Sequence, residues 1–107
     1  MYVVVFRSVV RADANRDLLR WLDTAAHAEA ITSGGLLEYV AGSDDGAKAS
    51  VCVWASRDHA DKASRLPMHQ RAVAHAPGMY ESWTITTYSD EDVQIHRRHG
   101  GEERLGG

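Results

Sequence analysis

Apolar and polar residues along this chain fall into short blocks with two different periods, and the blocks alternate. From Tyr2 to Val10 the residues are mostly β-branched or aromatic, and Val3, Val4, Val5 and Phe6 are apolar without a break. A strand with one wet face alternates, so this pattern predicts a strand covered on both sides. Asp13 or Asn15 offers a short side-chain oxygen to the free amides of the helix that follows. From Asn15 to about Thr32, Leu18, Leu22, Ala25 and Ala26 form an apolar stripe with Leu19 and Trp21 at its edges. Gly34-Gly35 then stops the helix, because glycine takes left-handed backbone at low cost.

Leu36 to Ser43 predicts a second strand, with Leu37, Tyr39 and Ala41 on one face and Leu36, Glu38 and Val40 on the other. Ser43-Asp44-Asp45-Gly46 reads as a hairpin turn, so the third strand, Ala47 to Ala55, should run antiparallel to the second. Ser56 is a good N-cap, with Asp58 in the first turn, for a helix reaching about Leu66. Pro67 disfavours helical geometry at Leu66, so a new segment should begin there and end at Ala76-Pro77-Gly78. Met79 to Tyr88 is the fourth strand; a period of two puts Tyr80, Ser82, Thr84, Thr86 and Tyr88 on one side and Glu81, Trp83, Ile85 and Thr87 on the other.

The order β-α-β-β-α-β predicts an α+β, ferredoxin-like domain over residues 1–88: a four-stranded antiparallel sheet with both helices on one face. The doubly apolar first strand implies that the opposite face is covered too. A second copy of the chain is the simplest cover, which predicts a homodimer with facing sheets.

Composition changes at Ser89. Residues 89–107 are dominated by glycine and charge and read as a solvated tail, or as a dimer arm in which Val93 and Ile95 alternate as a short strand. Five of the fifteen acidic residues lie there, so a net charge of −3 leaves the body near neutral. Without a basic stripe there is no electrostatic footprint for nucleic acid. No apolar run is long enough to span a bilayer, and the chain opens on a strand with no basic leader, so no membrane partner and a cytoplasmic location are expected. The lone Cys52 sits in an apolar strand pattern and argues against a disulfide framework.

The opening Tyr2-Val3-Val4-Val5-Phe6-Arg7-Ser8 strand, Gly35-Leu36-Leu37-Glu38-Tyr39, Val53-Trp54-Ala55-Ser56-Arg57, Pro67-Met68-His69 and the closing Tyr80-to-Tyr88 strand carry a resemblance. In order and spacing the chain, over residues 2 to about 88, resembles the dimeric α+β barrel superfamily and, within it, antibiotic-biosynthesis-monooxygenase-like domains. The resemblance implies a ferredoxin-like subunit and a dimer. It leaves the reaction open, since this fold hosts oxygenases, haem-degrading enzymes, cyclases, isomerases and proteins without a reaction.

Trp54 ends the third strand, where its indole offers a flat wall and one donor to an aromatic ligand, or simply fills the core. In oxygenases that the chain resembles, the tryptophan at this strand end lines the substrate cavity. His69 follows the helix break and has a side chain able to take a proton near neutral pH, unless it only caps or decorates the surface. Arg57, Arg65 and Arg71 flank the region; Arg57 or Arg71 is the candidate charge partner for a developing oxyanion. Met68, Tyr39, Tyr80, Trp83 and Trp21 are candidates to line the substrate. His27, His59 and His75 have surface spacing, and no pair has metal-ligand spacing, so no metal is expected. The haem-degrading branch carries a histidine about ten residues after the strand-end tryptophan; Lys62-Ala63-Ser64-Arg65 has none, so no cofactor is expected. The leading function is a cofactor-independent monooxygenase of secondary metabolism acting on a polycyclic aromatic or polyketide-derived phenol. A cyclase or isomerase on such a substrate, and a non-catalytic dimer binding a small ligand, are the alternatives. A cavity filled by Trp54 itself would favour the last.

Overall fold

A computed structural model describes residues 1–44, 46–89, 93–98 and 102–105, the last two stretches as backbone alone. Its elements run β1 (Tyr2–Val10), α1 (Arg16–Ser33), β2 (Leu36–Asp44), β3 (Ala47–Trp54), α2 (Arg57–Ser64), α3 (Pro67–Met79), β4 (Tyr80–Tyr88), β5 (Val93–Arg98) and β6 (Glu102–Leu105). The sheet order is β2-β3-β1-β4-β5-β6, with antiparallel pairing throughout. Its first four strands and the helices make the expected ferredoxin-like arrangement, the second helix being split in two.

Local chemistry accounts for the boundaries. Asn15 rather than Asp13 caps α1, its side chain accepting from the Leu18 amide at 3.0 Å, while Asp13 is engaged by the Arg11 guanidinium at 2.8 and 3.0 Å. Gly34 and Gly35 both have positive φ, and at Gly35 a Cβ would sit 2.3 Å from the His59 ring. Ser56 accepts from the His59 amide and caps α2. Pro67 opens α3 after an extended Leu66, and the carboxylate of Glu29 on α1 accepts the Met68 and His69 amides, tying the two helices together. The helix does not stop at Ala76-Pro77-Gly78. It runs through Pro77 to the buried Met79. So near the helix end Pro77 forfeits a single intrahelical bond, while Met79 still gains its place in the core.

Both helix-side clusters pack on the face of the sheet defined by Tyr2, Val4, Phe6 and Val10. One joins Val10, Leu19, Leu22, Ala76, Met79 and Tyr80, with Phe6 and Trp83 against it. The other joins Trp54, Ala60 and Ala63, with Tyr2, Val4, Leu36, Cys52 and Leu66. Leu19, expected at the edge of the α1 stripe, is buried in the first.

Two bulges rearrange the expected strand faces. Val9 pairs with Ser82 and Val10 with Tyr80, so Glu81 is the extra residue and Tyr80 lies on the same side as Trp83. In the β2–β3 ladder Leu36 pairs with Trp54 and Glu38 with Val53, which leaves Leu37 extra and puts Leu36 on the same side as Tyr39. A bulge shifts the face of every residue before it.

The segment after Ser89, expected as tail or arm, carries β5 and β6. β5 lies on β4, pairing Val93 with Tyr88 and Ile95 with Thr86 of the same chain. The free edge of β4 offers a row of unpaired donors and acceptors, and a strand of alternating character takes it. No helix among the described residues is long and apolar enough to cross a membrane.

Candidate functional site

The two apolar clusters leave one quadrant of the helix-side sheet face uncovered by core: the part of β2 and β3 nearest their hairpin, beneath α1. On β3 the residues facing α1 are Lys48, Ser50, Cys52 and Trp54, since these pair with Ser8, Phe6, Val4 and Tyr2 on β1. Lys48 is therefore an inward lysine. Its ammonium donates to the Asp23 carboxylate of α1 and lies 5.8 Å from the centre of the Tyr80 ring. Only a quarter of the Lys48 side chain and 43% of that of Asp23 remain exposed.

Tyr80 is buried edge-on against Phe6 at 5.5 Å and 6.2 Å from Trp83. Burial raises its phenol pKa, and the charges of Asp23 and Tyr39 push the same way, so the hydroxyl stays a donor. One helical turn beyond Asp23, His27 stacks on the Tyr39 ring at 4.0 Å. Tyr39 is also raised, by burial and by Cys52 and Asp23, and burial raises the Cys52 thiol. Between Lys48 and Trp83 in the ladder sits Ser8, 5% exposed, whose hydroxyl has no hydrogen-bond partner among the described residues.

A cavity of about 270 Å³ opens beside this group, between α1 and the β2–β3 hairpin, lined by Arg16, Arg20, Asp23, Thr24, Ser43 and Lys48 over Val10 and Leu19. A wider concavity of about 520 Å³ lies at the same end of the sheet, where Arg7, Val9, Asp44, Ala49, Ser82 and Thr84 reach the face away from the helices. Lys48 lines both; Asp23 lines only the smaller, and Ser8 and Trp83 only the larger. The larger is an open saddle on the sheet face that no helix covers.

The residues singled out from the sequence divide. Tyr80 and Trp83 touch, with Tyr39 nearby at the edge of the Lys48 cluster. Trp54 is 5% exposed and packs among Ala60, Ala63, Leu36 and Leu66. His69 lies in the first turn of α3, exposed to solvent, its amide held by Glu29; partial desolvation lowers its pKa and Glu29 partly opposes the shift. Met68 is half-buried beside it. Arg57 pairs along α2 with Asp61 at 3.8 Å, and Arg71 lies over the exposed Trp21 ring at 5.5 Å. Neither cavity is lined by Trp54, His69, Arg57 or Arg71. Asp23, Lys48 and Ser8 were not among the candidates. The available signal was a lysine alternating with Ser50, Cys52 and Trp54 on a helix-facing strand side, and an Asp23–His27 pair one turn apart. Among the described residues no three histidine, cysteine or acidic side chains gather as a metal site.

The fold defines the class. It is the ferredoxin-like α+β fold of antibiotic biosynthesis monooxygenases, here with a half-buried ionisable cluster under its first helix. The structure is similar to that of Rv0793 from Mycobacterium tuberculosis, at 20% identity over 85% of this chain and 95% of that one, with a TM-score of 0.73. It is also similar to SnoaB, a cofactor-independent oxygenase from Streptomyces nogalater, at 12% identity over 85% and 93% of the two chains, with a TM-score of 0.69. Identities this low speak for the fold alone. In sequence, the family model described as PB2B2.08-like matches residues 1–96, and the chain belongs to that family. The UPF0643 protein PB2B2.08 of Schizosaccharomyces pombe is 32% identical over 101 residues, which cover 87% of this chain and 46% of that protein. The chain thus spans about half the length of that curated relative.

Proposed function

We propose that this domain is a cofactor-independent oxygenase for a small phenolic substrate, acting at the cavity beneath α1 in a homodimer. The observation that supports it most is the inward Lys48, paired with Asp23 and set over a buried, protonated Tyr80. A phenol deprotonated beside a fixed cation is electron-rich enough to reduce dioxygen itself. In a naphthol-type substrate the ring carbon para to the phenolate carries the carbanion charge and adds to dioxygen to form a hydroperoxide. Loss of water then leaves a carbonyl, so one oxygen atom enters the product and the other leaves as water. Lys48 would hold the phenolate oxygen, Tyr80 would donate to it, and Asp23 or His27 would take the proton. These are the roles first expected of Arg57 or Arg71, Trp54 and His69.

The space of about 270 Å³ is below the roughly 300–1,000 Å³ of sites for drug-sized ligands, which favours one or two rings over a polycyclic substrate. A place in secondary metabolism goes with the oxygenase reading. Oxygen uptake measured with a panel of naphthols and anthrones tests it. Lys48→Met should reduce uptake by about a hundredfold, the scale of losing one oxyanion donor, with unchanged circular dichroism. No uptake by the wild-type protein across the panel would overturn the proposal.

The homodimer rests on the other sheet face, where Val3, Val5, Val9, Val40, Val51, Val53 and Tyr88 meet no helix; Val9, Val40 and Tyr88 are exposed. Sedimentation should give twice the chain mass, and Val40→Glu should give single chains. Wild-type single chains at micromolar concentration would refute this part. A non-catalytic ligand-binding dimer is the second reading, favoured by Trp54 filling its own corner. Binding without turnover would distinguish it.

A further inference from the structure

We infer that the cavity beneath α1 selects ligands carrying a fixed negative group beside the ring, a carboxylate above all, and that Arg16 and Arg20 hold that group. The inference rests on the proposed placement of the substrate in this cavity, but not on the reaction. Among the described residues three cations, Arg16, Arg20 and Lys48, line the space with a single carboxylate, Asp23, which Lys48 already engages. Among the described residues no carboxylate lies within ion-pair distance of Arg16. Arg20 has only a 4.0 Å approach to a nearly fully exposed Asp17.

The arrangement is unfavourable for the helix alone. Arg16 stands in the first turn of α1, where the helix dipole disfavours a cation. Like charges at i and i+4, as Arg16 and Arg20 are, repel by a few tenths of a kcal/mol. An anion between the two guanidiniums reverses both effects, since each presents a planar fork matched to a carboxylate.

Calorimetric titration with 1-hydroxy-2-naphthoate and 1-naphthol tests the inference on the full chain. The naphthoate should bind about tenfold more tightly or better, the scale of a charge-assisted bidentate contact, and the preference should shrink with added salt. Arg16→Gln/Arg20→Gln should abolish that preference while leaving naphthol affinity and unfolding temperature unchanged or slightly raised. Equal affinities for the two probes in the wild type, or a preference that survives in the double variant, would overturn it. If both probes bind equally and Lys48→Met weakens both, the cavity stands and the anion selectivity falls. If the preference is lost in the double variant but no substrate drives oxygen uptake, the selectivity stands and the oxygenase reading falls. Binding of neither probe would overturn the inference together with the placement.

Discussion

Gly34 and Gly35 form a matched pair on which the corner between α1 and β2 can be tested. Both have positive φ, 84° and 81°, so alanine at either is conformationally strained, at about 1–3 kcal/mol. They differ in surroundings. Nothing lies within 4 Å of a Cβ at Gly34, whereas at Gly35 it would meet Cδ2, Cγ and Cβ of His59 at 2.3, 2.4 and 2.7 Å. These atoms are the root of the side chain, so the whole ring must swing away. Doing so breaks the 2.7 Å contact between His59 Nδ1 and the Ser56 hydroxyl, worth about 0.5–1.5 kcal/mol net. An off-rotamer His59 adds a similar amount. Gly35→Ala should therefore cost about 1–3 kcal/mol more than Gly34→Ala. In urea unfolding, Gly35→Ala/His59→Ala should recover the part of that excess due to the ring, while the backbone strain and the 2.7 Å approach of the two Cβ atoms remain, and the two effects should be non-additive by about 1 kcal/mol or more. If the two glycine variants are equally destabilised, or the Gly35 and His59 effects add to within about 0.5 kcal/mol, the close approach does not control this corner.

Two further outcomes follow from placements already described. His69 is exposed, but partial desolvation lowers its pKa, so as pH falls below about 6.5 the unfolded chain takes up a proton slightly before the folded one does, and stability drops by a small amount that solvent screening limits. His69→Gln should slightly flatten that decline in urea midpoints measured above and below this pH; a steeper decline in the variant would contradict the lowered pKa. Trp54→Ala should lose about 3–5 kcal/mol, as buried aromatic truncations do. Trp54→Phe should keep oxygen uptake per folded molecule, and a loss of uptake at preserved stability would return the substrate wall to Trp54.

Most of the fold is readable from the sequence because its signals are local. Asn15, Gly34-Gly35, Ser56 and Pro67 each act through their own backbone neighbourhood, and the helices start and stop within a few residues of them. The bulges at Leu37 and Glu81 are another matter. Alternation within one strand cannot reveal an extra residue; only the partner's register does, and it moves Leu36 and Tyr80 to the helix side. The strands after Ser89 were hidden similarly. Their charged, glycine-rich composition is poor strand material taken alone, and what orders them is the edge of β4.

The candidate site was less legible for a reason that also argues for it. Lysine, aspartate and serine are read as surface residues by default, because burying them costs free energy unless each finds a partner. The same sheet face proves able to build apolar core, and does so twice, around Leu22 and around Trp54. Between β1, β3 and α1 it instead places Ser8, Asp23 and Lys48 where leucine or valine would pack, and among the described residues the Ser8 hydroxyl finds no partner. A domain of this size has little stability to spare. Positions where local rules fail without compensation are where function is expected. The polar quadrant under α1 is therefore a stronger candidate than the helix break at His69, where every described polar contact has a structural purpose.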